Sequence, residues 1–298
     1  GMSTIRFERK GDMLNYVYFM PIGLDGDDEP IANAYTDWTT AISKVELLIG
    51  GQVIDEQDST YSTLIAPTLS ATSSSKSVSG GLYTGAASER FYPLRFSFCE
   101  NWQTAIPLIS LQYHDVELRI TWGSGAKTNK WEVYANYAYL DTQERELFAG
   151  SPQNMLITQV QKATASGSKI QELNFNHPVK YLAAAHNTKV NILDAKNKLK
   201  LQINGTDVAD FKFADPNFTT VPLYYHTSHG SSTPGTKLFT YPFCLDTGKL
   251  QPTGTLNFSR LDSARIVNDK MVNNDAIYAV NYNVLRIENG MAGLLYSN

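Results

Sequence analysis

Two histidines and two cysteines are the residues of this sequence whose types best suit metal or nucleophilic chemistry. His226 and His229 stand three residues apart in "YYHTSHGSSTPGT", a spacing that metal sites use, but no acidic or thiol residue stands near them. Cys99 and His114 are predicted to lie on neighbouring strands, where a buried structural cysteine is the commoner case. The sequence therefore predicts no catalytic residue, no cofactor and no metal site, and we expect that the protein is not an enzyme.

Two further kinds of motif have a structural explanation. The tripeptide "KGD", Lys10 to Asp12, resembles an adhesion motif, but it lies between two strand-like segments, where glycine and aspartate suit a hairpin turn. Glycosylation sequons begin at Asn204, Asn217 and Asn257, and they matter only in a secreted protein. Asn257 is also predicted to lie within a strand. Neither kind of motif predicts a functional site.

Composition excludes several classes of function. The net charge is −4 and the sequence has no run of Lys or Arg, so direct binding to nucleic acid is not expected. It has no apolar run of about 18 residues, so membrane insertion is not expected. Two cysteines are too few for a disulfide framework, which favours synthesis in a reducing cytosol. A chain of 298 residues with 42 % hydrophobic content can form two ordinary domains.

Apolar residues alternate with polar ones along most of the chain, a period that predicts half-buried antiparallel strands. The segment "SKVELLIGG" places every second side chain on one face, and "HDVELRITW" does the same. Clusters of Gly, Pro, Asn, Asp and Ser separate these segments, as between strands. The same pattern predicts strands in "STIRFER", "MLNYVYF", "PLRFSF", "WEVYANYAYL", "KLKLQING" and "KLFTYPFCL".

One segment near the midpoint of the chain has the signals of a helix. In "DTQERELFAG", Asp141 is a candidate N-cap, Glu144 stands three residues later, and Gly150 is a candidate stop. Helical periodicity is scarce elsewhere. The sequence therefore predicts an all-β protein with few short helices in its loops and linker.

The two halves of the sequence resemble each other in the order of several residues. One pair of similar segments, "KVELLIGGQVID" from Lys44 and "KLKLQINGTDVA" from Lys198, is separated by 154 residues. The pattern predicts a tandem duplication of one domain of about eight strands, which fits a jelly roll or sandwich. Five matches share an offset of 145 residues: Phe98–Cys99 with Phe243–Cys244, Pro107 with Pro252, Leu111 with Leu256, Asn136–Tyr137 with Asn281–Tyr282, and Leu140 with Leu285.

Four long segments resemble the major capsid protein of the nucleocytoplasmic large DNA viruses. They are "YAVNYNVLRIENGMAGLLYSN", "QPTGTLNFSRLDSARI", "LNFNHPVKYLA" and "DTQERELFAGSPQNMLITQVQ". The resemblance covers nearly the whole chain, and the last 21 residues are its most specific part. It implies a double jelly roll, with one eight-stranded jelly roll in residues 1–150 and a second in 151–298. The predicted structural signature is Asn281, Tyr282, Gly290, Gly293 and Tyr296.

The resemblance also implies a structural function in the virion. Members of the family form homotrimers, and two similar domains in three copies give a pseudo-hexameric capsomer that tiles an icosahedral shell. The expected partners are other copies of the chain, neighbouring capsomers and minor capsid proteins, with synthesis and assembly in the host cytoplasm. Two long polar stretches, from Thr68 and from Tyr224, are predicted outward loops and candidates for contact with a host surface or glycans.

The two ends of the chain lead to separate expectations. Family members carry a longer segment before "STIRFERKGDML", so an N-terminal arm and an early strand are expected to be absent, which leaves an unpaired sheet edge. At the other end, Tyr278 to Ile287 is predicted to be the last strand, followed by turns at Gly290 and Gly293. The face predicted to enter the core comprises Tyr278, Val280, Tyr282 and Val284. The tail residues predicted to pack, either at the base of the domain or across the subunit boundary, are Met291, Leu294, Leu295 and Tyr296.

Two alternatives belong to other classes of protein. A tandem β-sandwich that binds carbohydrate as a monomer would use exposed aromatic residues, and the chain has 17 Tyr and 4 Trp. Trp122 and Trp131 fall in predicted strands, where packing in the core is their ordinary role. A β-sandwich glycosidase would need two carboxylates about 5 to 9.5 Å apart in a cleft.

Overall fold

The computed structural model describes residues 1–32, 35, 38–78, 90–128, 130–228, 235–270 and 273–297. The strands are β1 (Met2–Arg6), β2 (Met13–Leu24), β3 (Pro30–Ala32), β4 (Ile42–Ile49), β5 (Gln52–Asp58), β6 (Tyr92–Pro93), β7 (Ile106–Pro107), β8 (Val116–Trp122), β9 (Lys130–Ala138), β10 (Gln153–Ala163), β11 (Ile170–Glu172), β12 (Pro178–Ala185), β13 (Lys198–Ile203), β14 (Thr206–Asp207), β15 (Lys212–Phe213), β16 (Leu238–Pro242), β17 (Leu256–Asn257), β18 (Ala264–Asn268), β19 (Ile277–Glu288) and β20 (Met291–Leu294). The α-helices are α1 (Ala66–Leu69), α2 (Ser74–Val78), α3 (Ser97–Glu100), α4 (Thr142–Gly150), α5 (Ala214–Asn217) and α6 (Thr220–His226).

The chain divides into two compact units. Unit 1 comprises Gly1–Ser62, Gly80–Gln159 and Asn283–Asn298. Unit 2 comprises Thr63–Ser79 and Val160–Tyr282. The predicted domain boundaries of the two jelly rolls, 1–150 and 151–298, stay a prediction.

One arrangement of antiparallel strands occurs in both units. In unit 1 one sheet has the order β1-β8-β4-β5, and in unit 2 the corresponding sheet has the order β11-β18-β13-β14, with β15 on β13. In the second sheet of unit 1, β2 pairs with β3, β6, β7 and β9. The sheet that corresponds to it has the order β10-β19-β12-β16, and in this sheet β17 also pairs with β12 and β20 with β19. β2 therefore corresponds to β12, and β9 corresponds to β19.

The register of the strands tests the predicted repeat. Ile49 pairs with Gln52 across one two-residue hairpin turn, and Ile203 pairs with Thr206 across another, so the predicted offset of 154 is confirmed. The offset is different elsewhere because the connections between strands differ in length. Opposite β2, Pro93 pairs with Tyr18, and opposite β12, Pro242 pairs with Tyr181, which gives a separation of 149 residues rather than 145.

Three local predictions also have an outcome. The capping box of α4 is confirmed, because the Asp141 carboxylate accepts a hydrogen bond from the Glu144 amide at 2.9 Å and the Glu144 carboxylate accepts one from the Asp141 amide at 3.1 Å. The strand predicted for "PLRFSF" is wrong: β6 ends at Pro93 and the helix α3 begins at Ser97. The hairpin predicted at "KGD" is also wrong, because β1 pairs with β8 whereas β2 belongs to the other sheet.

Each unit has its own hydrophobic core. The core of unit 1 is rich in indole and phenol rings, and the rings of Trp122 and Trp131 lie 4.9 Å apart between centroids, which confirms their predicted packing role. The core of unit 2 is built around four phenylalanines: Phe175, Phe218, Phe239 and Phe258. Aromatic pairs at these distances stabilise a core beyond the area they bury.

Candidate functional site

The strand β19 is buried on both of its faces. Ile277 and Ala279 belong to the core of unit 2, and Leu285 and Ile287 belong to the core of unit 1. The predicted core face was wrong, because these odd-numbered residues face the cores. The even-numbered residues predicted to do so lie on the opposite face, although Tyr278, Val280 and Tyr282 are buried there as well. When both faces of a strand are buried, alternation cannot indicate which face enters the core.

The first two signature residues form a buried polar step in β19. Asn281 is fully buried, and its side-chain oxygen accepts a hydrogen bond from the Gln161 amide at 2.9 Å. The Lys180 ammonium lies 5.4 Å from the centroid of the Tyr282 ring, a cation–π contact. Burial raises the pKa of the Tyr282 phenol to about 12, so this group stays neutral at physiological pH. These contacts stabilise the strand.

The signature glycines have different roles. Asn289 and Gly290 have φ values of +54° and +75°, the left-handed conformations of a two-residue hairpin turn between β19 and β20. A Cβ atom on Gly290 would lie 2.8 Å from the Tyr113 ring. The turn predicted at Gly293 is wrong, because this residue lies within β20 opposite Arg286.

The segment after the turn packs only in part. Ala292 is in the core of unit 1, and Leu294 packs against that core, as predicted for Leu294. His114 fixes the same strand, since its Nδ1 atom lies 3.1 Å from the amide nitrogen of Ala292. Three other predicted packing residues are exposed in the chain: Met291 by 47 %, Leu295 by 44 % and Tyr296 by 58 %.

The residues singled out for chemistry lie in separate elements where the structure describes them. His226 Nδ1 lies 2.9 Å from the carbonyl oxygen of Cys244, whereas His229 lies outside the described residues. Burial raises the pKa of the Cys244 thiol, which disfavours a reactive thiolate. The prediction that Cys99 and His114 lie on neighbouring strands is wrong, because Cys99 is in α3 and His114 is in the connection before β8. Within the described ranges, no three His, Cys, Asp or Glu side chains could hold a metal ion together.

The two predicted outward loops are described only in part. The first begins with a buried segment rather than a solvated one, because Thr68, Leu69 and Ala71 are buried. Its continuation, residues 79–89, lies outside the described residues, as do residues 229–234 of the second loop. Of the three sequons, Asn204 is in an exposed turn, Asn217 is in α5, and Asn257 is in β17 as predicted. Contact with a host surface or glycans through these loops stays a prediction.

Comparison with known proteins gives the family of this chain. The family described as "Large eukaryotic DNA virus major capsid protein" matches residues 184–293, and "Major capsid protein N-terminus" matches residues 2–141. The chain is 32 % identical to the major capsid protein of Pyramimonas orientalis virus, over 99 % of this chain and 86 % of that protein. The chain belongs to the major capsid proteins of large eukaryotic DNA viruses.

Other comparisons agree with this family. The major capsid protein of Paramecium bursaria Chlorella virus 1 is 32 % identical over 71 % of this chain and 68 % of its own length. A chain in the quasi-atomic model of the PBCV-1 virus capsid matches 100 % of this chain and 93 % of its own length, with a TM-score of 0.77 and 25 % identity. The Faustovirus major capsid protein shares the fold alone: it has a TM-score of 0.67 and 10 % identity, over 97 % of this chain and 88 % of its own length.

Family membership settles the coarse function and the fold class. The protein is a structural capsid protein of the virion, and its two units form a double jelly roll. The family is one of structural proteins. Among the described residues, no helix has both the length and the apolar character needed to cross a membrane.

Proposed function

We propose that three copies of this major capsid protein form a pseudo-hexameric capsomer, and that such capsomers tile an icosahedral shell. The repeated sheet order of units 1 and 2 is the observation that carries this proposal. Three copies of a chain with two similar units present six similar blocks around one axis. A head-to-tail contact that closes after three copies satisfies all equivalent surfaces at once.

The partners follow from this arrangement. Other copies of the chain complete the capsomer, and neighbouring capsomers and minor capsid proteins contact its outer sides. Exposed apolar side chains support such contacts, including Tyr139 (71 % exposed) in unit 1 and Leu245 (74 % exposed) in unit 2. Assembly in the host cytoplasm fits the buried cysteines Cys99 and Cys244, which form no disulfide with each other.

One observation favours a second candidate function. Tyr16, Tyr18 and Tyr134 form a row of nearly parallel rings on the outer face of the sheet in unit 1, with interplanar angles of 25° and 18°. Exposed aromatic rings are also what a carbohydrate-binding sandwich would present. Binding of soluble oligosaccharides by a monomeric chain, lost on replacement of Tyr16 and Tyr134 by Ala, would favour this alternative.

The proposed function is tested by the mass of the purified protein in solution. Size-exclusion chromatography with light scattering, at several protein concentrations, is expected to give three times 33.1 kDa, about 99 kDa. A species that stays at 33.1 kDa at every concentration contradicts the homotrimer.

A further inference from the structure

The outer faces of two corresponding sheets differ between the units. In unit 1, Tyr18 on β2 pairs with Tyr134 on β9, and in unit 2, Tyr181 on β12 pairs with Val280 on β19. Since Tyr18 and Tyr181 also pair with corresponding prolines on β6 and β16, they occupy equivalent positions. Their neighbours Phe19 and Leu182 point into the two cores, so both tyrosines lie on the outer faces.

These equivalent faces have opposite exposure. Tyr181 is fully buried and Val280 is 1 % exposed. In unit 1, Tyr134 is 42 % exposed, Tyr16 is 47 % exposed, and Tyr18 between them is half-buried. The Tyr18 ring lies 5.4 Å from the Tyr134 ring and 6.5 Å from the Tyr16 ring. We call these three residues, Tyr16, Tyr18 and Tyr134, the tyrosine face.

A helical segment covers the equivalent face in unit 2. Helix α1 stands between β5 and β6 in the sequence, but the segment Thr63–Ser79 that contains it belongs to unit 2. The Ser70 hydroxyl lies 2.5 Å from the Tyr181 hydroxyl, at the end of α1. All four residues of α1 are buried. A connection between two strands thus covers the outer tyrosine of a sheet.

The connection in unit 2 that corresponds to the one containing α1 contains helix α6, whose outer side is exposed. Helix α6 stands in the connection before β16, as α1 stands in the connection before β6. Its base is anchored, because Phe218 is in the core of unit 2 and the Phe218 carbonyl accepts a hydrogen bond from the Thr240 amide at 3.0 Å. Its outer side is exposed: Val221 by 40 %, Tyr224 by 81 % and Tyr225 by 72 %. We call Val221, Tyr224 and Tyr225 the α6 patch.

We propose that the α6 patch of one copy covers the tyrosine face of the next copy, as α1 covers Tyr181 within unit 2. This inference rests on the proposed homotrimer and names the surfaces that form it. The contact is heterologous, since the two surfaces differ, and a head-to-tail contact of this kind closes into a ring when its rotation is one third of a turn.

The chemistry of both surfaces fits a second copy of the chain. Tyrosine is enriched in protein interfaces, where its ring buries a large area and its hydroxyl can still form a hydrogen bond. Glu132, beside the tyrosine face, accepts a hydrogen bond from the Tyr134 hydroxyl at 2.6 Å, so its carboxylate keeps a hydrogen-bond partner when the face is covered. In the α6 patch, the centroids of the Tyr224 and Tyr225 rings lie 4.8 Å apart, so the two rings already pack against each other in the single chain. Side chains that are ordered before binding lose less conformational entropy when the contact forms.

The test changes each surface separately in the full chain. Tyr224→Glu with Tyr225→Glu alters the α6 patch, and Tyr16→Glu with Tyr134→Glu alters the tyrosine face. Each pair places two charges in the proposed contact, so light scattering is expected to show a three-fold fall in mass, from about 99 kDa to 33.1 kDa. The control is Leu147→Glu on α4, 63 % exposed and outside both surfaces, which is expected to leave the mass unchanged. Circular dichroism and the unfolding midpoint confirm that each variant is folded.

A mixture of the two folded variants tests the heterologous geometry. Each variant keeps one intact surface, so an equimolar mixture can form one proper contact and is expected to reach about 66 kDa at high concentration, twice 33.1 kDa. If the unaltered chain is a trimer and either pair of changes leaves it a trimer, the proposed contact is wrong while the trimer stands. If the unaltered chain is a monomer, the proposed trimer itself is wrong.

Discussion

Units 1 and 2 share one sheet order but complete it with segments from different parts of the chain. Unit 1 takes its last segment, Asn283–Asn298, from the C-terminal end of the chain, and Ile287 and Ala292 enter its core. Unit 2 takes Thr63–Ser79 from the first half of the sequence, and Ser70 contacts Tyr181 there. The difference teaches that a sequence repeat does not by itself define a folding unit, because each repeat needs residues that lie outside it.

The largest expected effect comes from removing the segment that completes unit 1. Deletion of Gly290–Asn298 removes β20 and with it the packing of Ala292 and Leu294. Leu294 is half-buried, so its loss costs less than the about 2–5 kcal/mol of a fully buried leucine, but this deletion also removes a strand from the sheet. We expect a fall in the yield of soluble trimer, measured by quantitative gel filtration.

A control separates the packed part of this segment from its exposed part. Leu295→Ser with Tyr296→Ser changes two exposed side chains and keeps the backbone, whose Tyr296 carbonyl accepts a hydrogen bond from Asn283 at 2.9 Å. This variant is expected to retain the yield of the unaltered chain. Full recovery of trimer from the deletion would show that the tail is dispensable.

A smaller effect comes from two hairpin turns of the same geometry. Gly290 in unit 1 and Gly205 in unit 2 have φ values of +75° and +78°, and each follows an asparagine with positive φ. A Cβ at Gly205 meets nothing within 4 Å, whereas one at Gly290 would lie 2.8 Å from Tyr113. Gly205→Ala is expected to cost about 1–2 kcal/mol from left-handed strain alone.

The second substitution adds a steric cost to the same strain. Gly290→Ala is expected to cost about 1 kcal/mol more than Gly205→Ala, because the Tyr113 ring must move. Tyr113 is 75 % exposed, so its ring can shift and the added cost stays small. Urea unfolding midpoints of the two variants measure the difference. Equal midpoints would show that the contact with Tyr113 has no energetic weight.

The smallest effect separates two aspartates whose pKa values shift in opposite directions. The Leu140 amide, 2.7 Å away, and then the Arg145 guanidinium lower the pKa of Asp12 in unit 1. Burial raises the pKa of Asp275 in unit 2, although the Asn191 amide donates to it at 2.6 Å. Asp12 therefore contributes stability above the pKa of an unfolded aspartate, about 3.9, and this is lost as the pH falls through its lower folded pKa. Asp275 favours folding most at low pH, and that contribution is lost as the pH rises through its raised pKa.

Two substitutions measure how the contributions of Asp12 and Asp275 to stability depend on pH. The destabilisation caused by Asp12→Asn is expected at pH 7 and shrinks as the pH falls below about 4. Asp275→Asn removes a charge whose burial is costly at pH 7. The unaltered chain gains stability as the pH is lowered and Asp275 is protonated, whereas the variant does not. The unfolding free energy of the variant relative to that of the unaltered chain is therefore expected to fall as the pH is lowered from 7. The measurement is urea unfolding of each variant between pH 3 and 7. Parallel curves for both variants would contradict the opposite shifts.

Local sequence signals predicted the parts of the fold that depend on neighbouring residues. The alternation in β4 and the capping box at Asp141 could be predicted because periodicity and capping are set within a few residues. The family resemblance predicted the double jelly roll because it covers nearly the whole chain.

Features that depend on distant contacts could not be predicted in the same way. Ile277 and Tyr278 are adjacent in β19, and both side chains are apolar and buried. Because β19 is buried on both faces, its sequence does not alternate between apolar and polar residues, and the face that enters the core cannot be recognised from it. The segment from Thr68 is polar in sequence, but Ser70 meets Tyr181, which is 111 residues away. The α6 patch and the tyrosine face could be proposed as contact surfaces only because the strand register shows that Tyr18 and Tyr181 occupy equivalent positions.

Electron microscopy of the purified protein tests the central claim most directly. The account predicts class averages with threefold symmetry and a nearly hexagonal outline of six lobes, because each of three copies contributes two units of one sheet order. Particles with two lobes and no threefold symmetry, at a concentration where light scattering gives a single species, would contradict it.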